Sequence, residues 1–105
     1  MMKSESCSMA TLLDQLSGTW TIHILWVLHR KGTLRFGELR RQIGEISTKV
    51  LTERLRMMES MGIVDRHSEP TRPPKVTYRL TARGQALTQA LVPLYKLVLH
   101  WDQSE

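Results

Sequence analysis

The stretch that most restricts the fold is Phe36 to Gly62, FGELRRQIGEISTKVLTERLRMMESMG. Phe36, Leu39 and Ile43 recur at helical spacing, Gly44 interrupts the pattern, and Ser47 follows with a side-chain oxygen of the kind that caps a helix start. Beyond it, at about 100° per residue, Leu51, Leu55 and Met58 fall on one line with Val50, Met57 and Met61 beside them. Lys49, Thr52, Glu53, Arg56 and Ser60 fall opposite. Two short amphipathic helices joined by a tight glycine-containing turn, over residues 36–61, make a helix-turn-helix.

Charge points to the partner of such a unit. The chain has 105 residues and a formal charge of +5, unevenly placed. Residues 30–83 hold 13 Lys/Arg against 6 Asp/Glu, whereas the two ends hold 2 against 4. A concentrated cationic surface attracts polyanions through counterion release, so double-stranded DNA is the expected partner and a membrane surface is not. No apolar run reaches the ~18 residues of a membrane span, and MMKSESCSM carries no apolar signal core. A single cysteine forms no internal disulfide, which fits a reducing cytoplasm. His23, His29, His67 and His100 make no metal-ligand spacing, and no phosphate loop, HExxH or nucleophile elbow occurs. An enzyme, a metal site and a cofactor are therefore not expected.

The remainder reads as support for the helix pair. One domain is expected, mainly α with a small β-hairpin: a winged helix-turn-helix with additional N- and C-terminal dimerisation helices. Residues 1–8 are polar and are expected to be a flexible N-terminal segment. Residues 9–17 carry the stripe Met9, Leu12, Leu13 and Leu16 on a short helix. TWTIHILWVLHRKG is apolar nearly all round and predicts a buried central helix ending at Gly32, with Trp20 as a packing anchor and Thr33 to Arg35 as an extended link. Within residues 63–80, IVDRH and VTYRL predict a hairpin with Val76, Tyr78 and Leu80 on its buried face, stiffened at its tip by Pro73-Pro74. Thr81 caps a last helix over 82–101. There Leu87, Ala90, Leu91, Leu94, Tyr95, Val98 and Trp101 form a stripe, flanked by Val92 and Leu99, and Pro93 is expected to kink or divide it.

These elements suggest roles. Arg40 and Arg41 lie off the apolar stripe of the first helix and suit phosphate contacts. Ser47, Thr48, Lys49, Thr52, Glu53 and Arg56 present the outer face of the second helix to base edges, with Arg56 suited to guanine. Arg72, Lys75 and Arg79 make the hairpin a basic wing expected to contact DNA on the flanking groove. Arg54 projects within the apolar arc and is expected to snorkel or pair with a carboxylate such as Glu38. Leu12, Leu13, Leu16, Leu91, Leu94, Tyr95, Val98 and Trp101 are more apolar surface than one small core covers, so they form the expected interface of a homodimer, which would read a palindromic operator. A small-ligand pocket near Trp20, Trp26 and Tyr95 is a further option, although core packing explains the same residues more simply. The competing view of the basic face is a protein-interaction module without specific DNA readout.

RFGEL at 35–39, ISTKVLTERL at 46–55, GIVDR at 62–66 and RPPKVTYRLTARGQAL at 72–87 resemble the HxlR-type winged-helix transcriptional regulators, a branch of the MarR-like group. The resemblance runs from Cys7 to about Trp101. It implies a dimeric DNA-binding repressor or activator, with its recognition helix at 47–60, its wing at 66–79 and dimerisation through the terminal helices. It also implies a role for Cys7, since some members of the family carry a cysteine ahead of the first helix that senses electrophiles or oxidants. Here Ser8 stands where proline is common, and Gly18-Thr19-Trp20 departs from a glycine-lysine-tryptophan-like pattern. With Lys3 as the one nearby cation in sequence, Cys7 is a candidate redox sensor beside the simpler reading of an unreactive thiol.

Overall fold

The computed structural model describes residues 2–18 and 20–103, with side chains from residue 9 onward. Five helices and three short strands follow in the order α1 (Met2–Leu16), α2 (Thr21–Lys31), β1 (Leu34–Arg35), α3 (Phe36–Ile43), α4 (Thr48–Ser60), β2 (Val64–Glu69), β3 (Lys75–Leu80) and α5 (Ala82–Gln103). The strands form one antiparallel sheet in the order β1-β3-β2.

Burial follows the periodicities. Leu39 and Ile43 of α3 and Leu51, Leu55 and Met58 of α4 are buried, and they meet Ile24, Leu25, Val27 and Leu28 of α2 in one core cluster. Ile46 closes the turn between α3 and α4 from below, at 1% exposure. Gly44 sits at φ 109°, a region that side chains disfavour, and its N–H returns to Arg40 O at 3.0 Å. Ser47 then caps α4 as expected: its hydroxyl accepts the Val50 N–H at 3.1 Å. Thr81 does the same for α5, accepting from Gly84 N at 3.0 Å while donating to Gly62 O at 2.7 Å. The start of α5 lies hard against the α4–β2 corner, where a Cβ on Gly84 would stand 2.0 Å from Ile63 O.

Four expectations need correction, and a fifth, a kink or a division at Pro93, loses its second option. Helix α1 begins at Met2 rather than at residue 9, so the polar segment is helical backbone continuous with the apolar stripe. Helix α2 is not buried all round, because Ile22 and Trp26 are half-buried on the side of α5, where Trp26 stacks on Tyr95 with ring centroids 4.4 Å apart. The link after Gly32 is a strand: Leu34 pairs with Tyr78 and Arg35 with Thr77, which turns the two-stranded hairpin into a three-stranded sheet. Helix α5 runs through Pro93 without dividing. Leu16, placed on the dimer stripe by its spacing, is only 7% exposed and packs into the core of its own chain. Trp20 is packed against that core as expected, at φ 76°, where it opens α2.

Candidate nucleic-acid interface

The core-facing residues of α4 leave its other face outward. Lys49, Glu53 and Arg56 are exposed on it and Thr52 is half-buried, with its hydroxyl donating to Thr48 O at 2.8 Å. The helix is thus held from beneath by Leu51, Leu55 and Met58 and carries small polar and charged groups above.

Helix α3 braces the turn. Arg40 Nε donates to Ile46 O at 3.1 Å, so this side chain, expected to meet phosphate, also ties α3 to the approach of α4. Arg41 is exposed. At the other end of α3 the Glu38 carboxylate accepts from Arg35 N at 2.9 Å and caps the helix. Arg54, expected to snorkel or pair with a carboxylate, is half-buried. Arg54 reaches across to the α1–α2 junction, where a Cβ on Gly18 would meet its Cζ at 3.2 Å. A long side chain leaving the apolar arc of α4 thus packs beside Gly18, where a larger residue would press on the guanidinium.

The hairpin brings together residues that are distant in sequence. Arg35, Thr71, Arg72 and Lys75 line one cleft of about 450 Å³ with Phe36 and Gly37, so the wing and the start of α3 form one cationic surface. Arg35 escaped sequence reasoning because a single arginine next to a two-residue strand carries no pattern. Alternation along β2 and β3 sorts the remaining side chains. Val64 opposes Leu80, Asp65 opposes Arg79 and Arg66 opposes Tyr78. Tyr78 meets Phe36 of α3, with centroids 6.5 Å apart, so the Arg66–Tyr78 side looks toward the helices. Arg79 therefore lies on the far face, ion-paired with Asp65 at 3.3 Å, rather than beside α4.

The terminal helices present the opposite chemistry. Leu87 and Leu91 of α5 pack on the core, but farther along Leu94 is 53% exposed and Trp101 58%, with Leu97, Val98 and Leu99 similarly bare. Met9 and Leu13 of α1 are each 58% exposed. Tyr95 is half-buried against Trp26, and burial raises the pKa of its phenol above the usual tyrosine value. The side chain of Cys7 lies outside the described residues. Among the described residues no group of three His, Cys, Asp or Glu could hold a metal ion, and no helix is long and apolar enough to cross a membrane.

A capped helix-turn-helix braced by a basic three-stranded wing defines a winged helix-turn-helix protein. The chain belongs to the family of HxlR-like helix-turn-helix proteins, whose family model matches residues 15–105. It is 39% identical over 99 residues to an HTH-type transcriptional regulator of Synechocystis, covering 94% of this chain and 73% of that one. The crystal structure of a MarR-family transcriptional regulator from Enterococcus faecalis superposes with a TM-score of 0.79 at 38% identity, covering 94% and 89% of the two chains. The reduced form of the transcriptional regulator YodB from Bacillus subtilis gives 0.71 at 35% identity, covering 90% and 87%. The protein is a transcriptional regulator with a helix-turn-helix fold, not an enzyme.

Proposed function

We propose that the protein is a sequence-specific DNA-binding regulator that acts as a homodimer. The observation that carries this reading is the outer face of α4, where Lys49, Thr52 and Arg56 stand outward on a helix anchored along its whole inner side. In this reading Lys49, Thr52, Glu53 and Arg56 meet base edges, with Ser47 and Thr48 at the helix start beside the strand. Arg40, Arg41, Arg72 and Lys75 contact phosphates. The exposed apolar side chains of Leu94, Val98 and Trp101 on α5, with Leu13 on α1, meet their counterparts in a second copy. Two recognition helices then face successive major grooves about 34 Å apart on a palindromic site.

The test separates base readout from phosphate contact. Arg56→Ala should lower specific affinity by about 1–3 kcal/mol and relax one base position, whereas Arg41→Ala should weaken all sequences alike. If neither change depends on DNA sequence, the basic face serves a protein partner instead. Redox control through Cys7 rests on likeness to YodB and to a structure of the redox regulator HypR in its oxidized form, 32% identical with a TM-score of 0.72. It predicts that an oxidant shifts DNA affinity in the wild type and leaves Cys7→Ser unchanged.

A further inference from the structure

Between α4 and the β2–β3 hairpin lies a cleft of about 460 Å³ lined by Thr52, Leu55, Arg56, Glu59, Arg66 and Tyr78. Arg66 was not among the residues expected to meet DNA, because Ile63 and Val64 are both apolar and leave the facing of this strand undecided in sequence. The register decides it: Arg66 shares the helix-facing side of the hairpin with Tyr78, and Asp65 and Arg79 share the other. On that other side the charges neutralise each other at 3.3 Å. Within the cleft they do not. Among the described residues Arg56, Arg66 and Glu59 form no ion pair, which leaves two exposed guanidinium groups against one carboxylate and a cleft open to an anion.

The identity of the anion follows from where the cleft sits. In the DNA-binding reading, with α4 in the major groove and the hairpin on the flanking groove, the two elements straddle the sugar-phosphate strand that separates the grooves. That strand must pass through the gap between helix and hairpin. We propose that Arg66, with the Tyr78 hydroxyl, seats a phosphodiester of this strand beside the base-reading Arg56, and that Glu59 weakens the grip. A planar guanidinium presents paired donors to phosphate oxygens, and a phenolic O–H adds one more. The Glu59 carboxylate repels the same phosphate on any sequence, so it lowers sequence-independent affinity and widens the margin for base readout by α4. The proposal rests on the DNA-binding reading above and adds to it a contact and a restraint.

The experiment is a salt titration of the full chain on a random-sequence duplex of about 30 bp, followed by fluorescence anisotropy, with thermal melts confirming that each variant folds. Arg66→Gln should reduce the magnitude of the slope of log Kobs against log[salt] by about 1 per protomer and weaken binding about 3- to 10-fold near 0.1 M salt. Arg66→Lys should keep the slope. Arg79→Gln removes the same charge from the other hairpin face and should leave the slope nearly unchanged. Glu59→Gln should tighten binding several-fold. Equal slopes for Arg66→Gln and Arg79→Gln would overturn the phosphate seat while leaving DNA binding intact, and an unchanged affinity for Glu59→Gln would overturn the restraint. A wild-type chain that binds no duplex would overturn the DNA-binding reading itself and the seat with it.

Discussion

The two ends of α5 both carry apolar side chains and meet opposite environments. Its first turns lie against the core, where Gly84 and Thr88 are buried and Leu87 and Leu91 pack on the cluster formed by α2, α3 and α4. Its last turns hold Leu94, Leu97, Val98, Leu99 and Trp101 exposed. Both halves are apolar, so hydropathy alone separates neither. The difference is that the core cluster is buried within one chain, whereas the outer half of α5 and the Met9/Leu13 side of α1 keep about half of their apolar surface exposed among the described residues. Substitutions at the inner end should act on the fold, and substitutions at the outer end on association.

The largest effect is expected at Gly84. An added methyl would lie 2.0 Å from Ile63 O, a backbone atom at the α4–β2 corner, so Gly84→Ala should cost about 4 kcal/mol or more and leave little cooperative unfolding in a thermal melt. Next comes Leu51→Ala. Leu51 is 0% exposed beneath the outer face of α4, and its truncation should destabilise by about 2–5 kcal/mol in urea unfolding with an unchanged m-value. Ser47→Ala removes the hydroxyl that accepts from Val50 N and should cost about 1 kcal/mol in the same assay. The smallest effect on the fold is expected for Leu94→Glu, within about 0.5 kcal/mol by circular dichroism of dilute protein. The same change should convert a dimer to monomer in sedimentation experiments. A Leu94→Glu chain that unfolds would break the comparison, since the outer half of α5 would then belong to the core.

What was legible in the sequence tracks the length of each pattern. Helices α3 and α4 could be placed closely because an apolar period, a glycine break and a serine cap agree with one another, and the same agreement holds for Thr81 at the start of α5. Strand β1 was not legible, since two residues carry no period and its pairing with β3 is a tertiary event. The early start of α1 was hidden by a polar segment with no apolar repeat. At the interface, helical periodicity sufficed to bring Lys49, Thr52 and Arg56 to one face. Strand facing did not follow from composition, and the register with β3 was needed to turn Arg66 toward α4 and Arg79 away from it. The niche that receives Arg54 beside Gly18 joins residues far apart in the chain, which no local pattern encodes.

The central claim is that the outer face of α4 reads base sequence. Fluorescence anisotropy of the full chain on duplex DNA from upstream of its own gene, against a shuffled duplex at matched salt, tests it most directly. The account predicts saturable binding at about 10⁻⁸ M or better with at least a ~10³-fold preference for one site, a preference that Arg56→Ala reduces. Should the upstream duplex hold no site, selection from a random pool with the same chain supplies the specific duplex. A selection that enriches no sequence, with equal and salt-sensitive binding to every duplex, would contradict the claim.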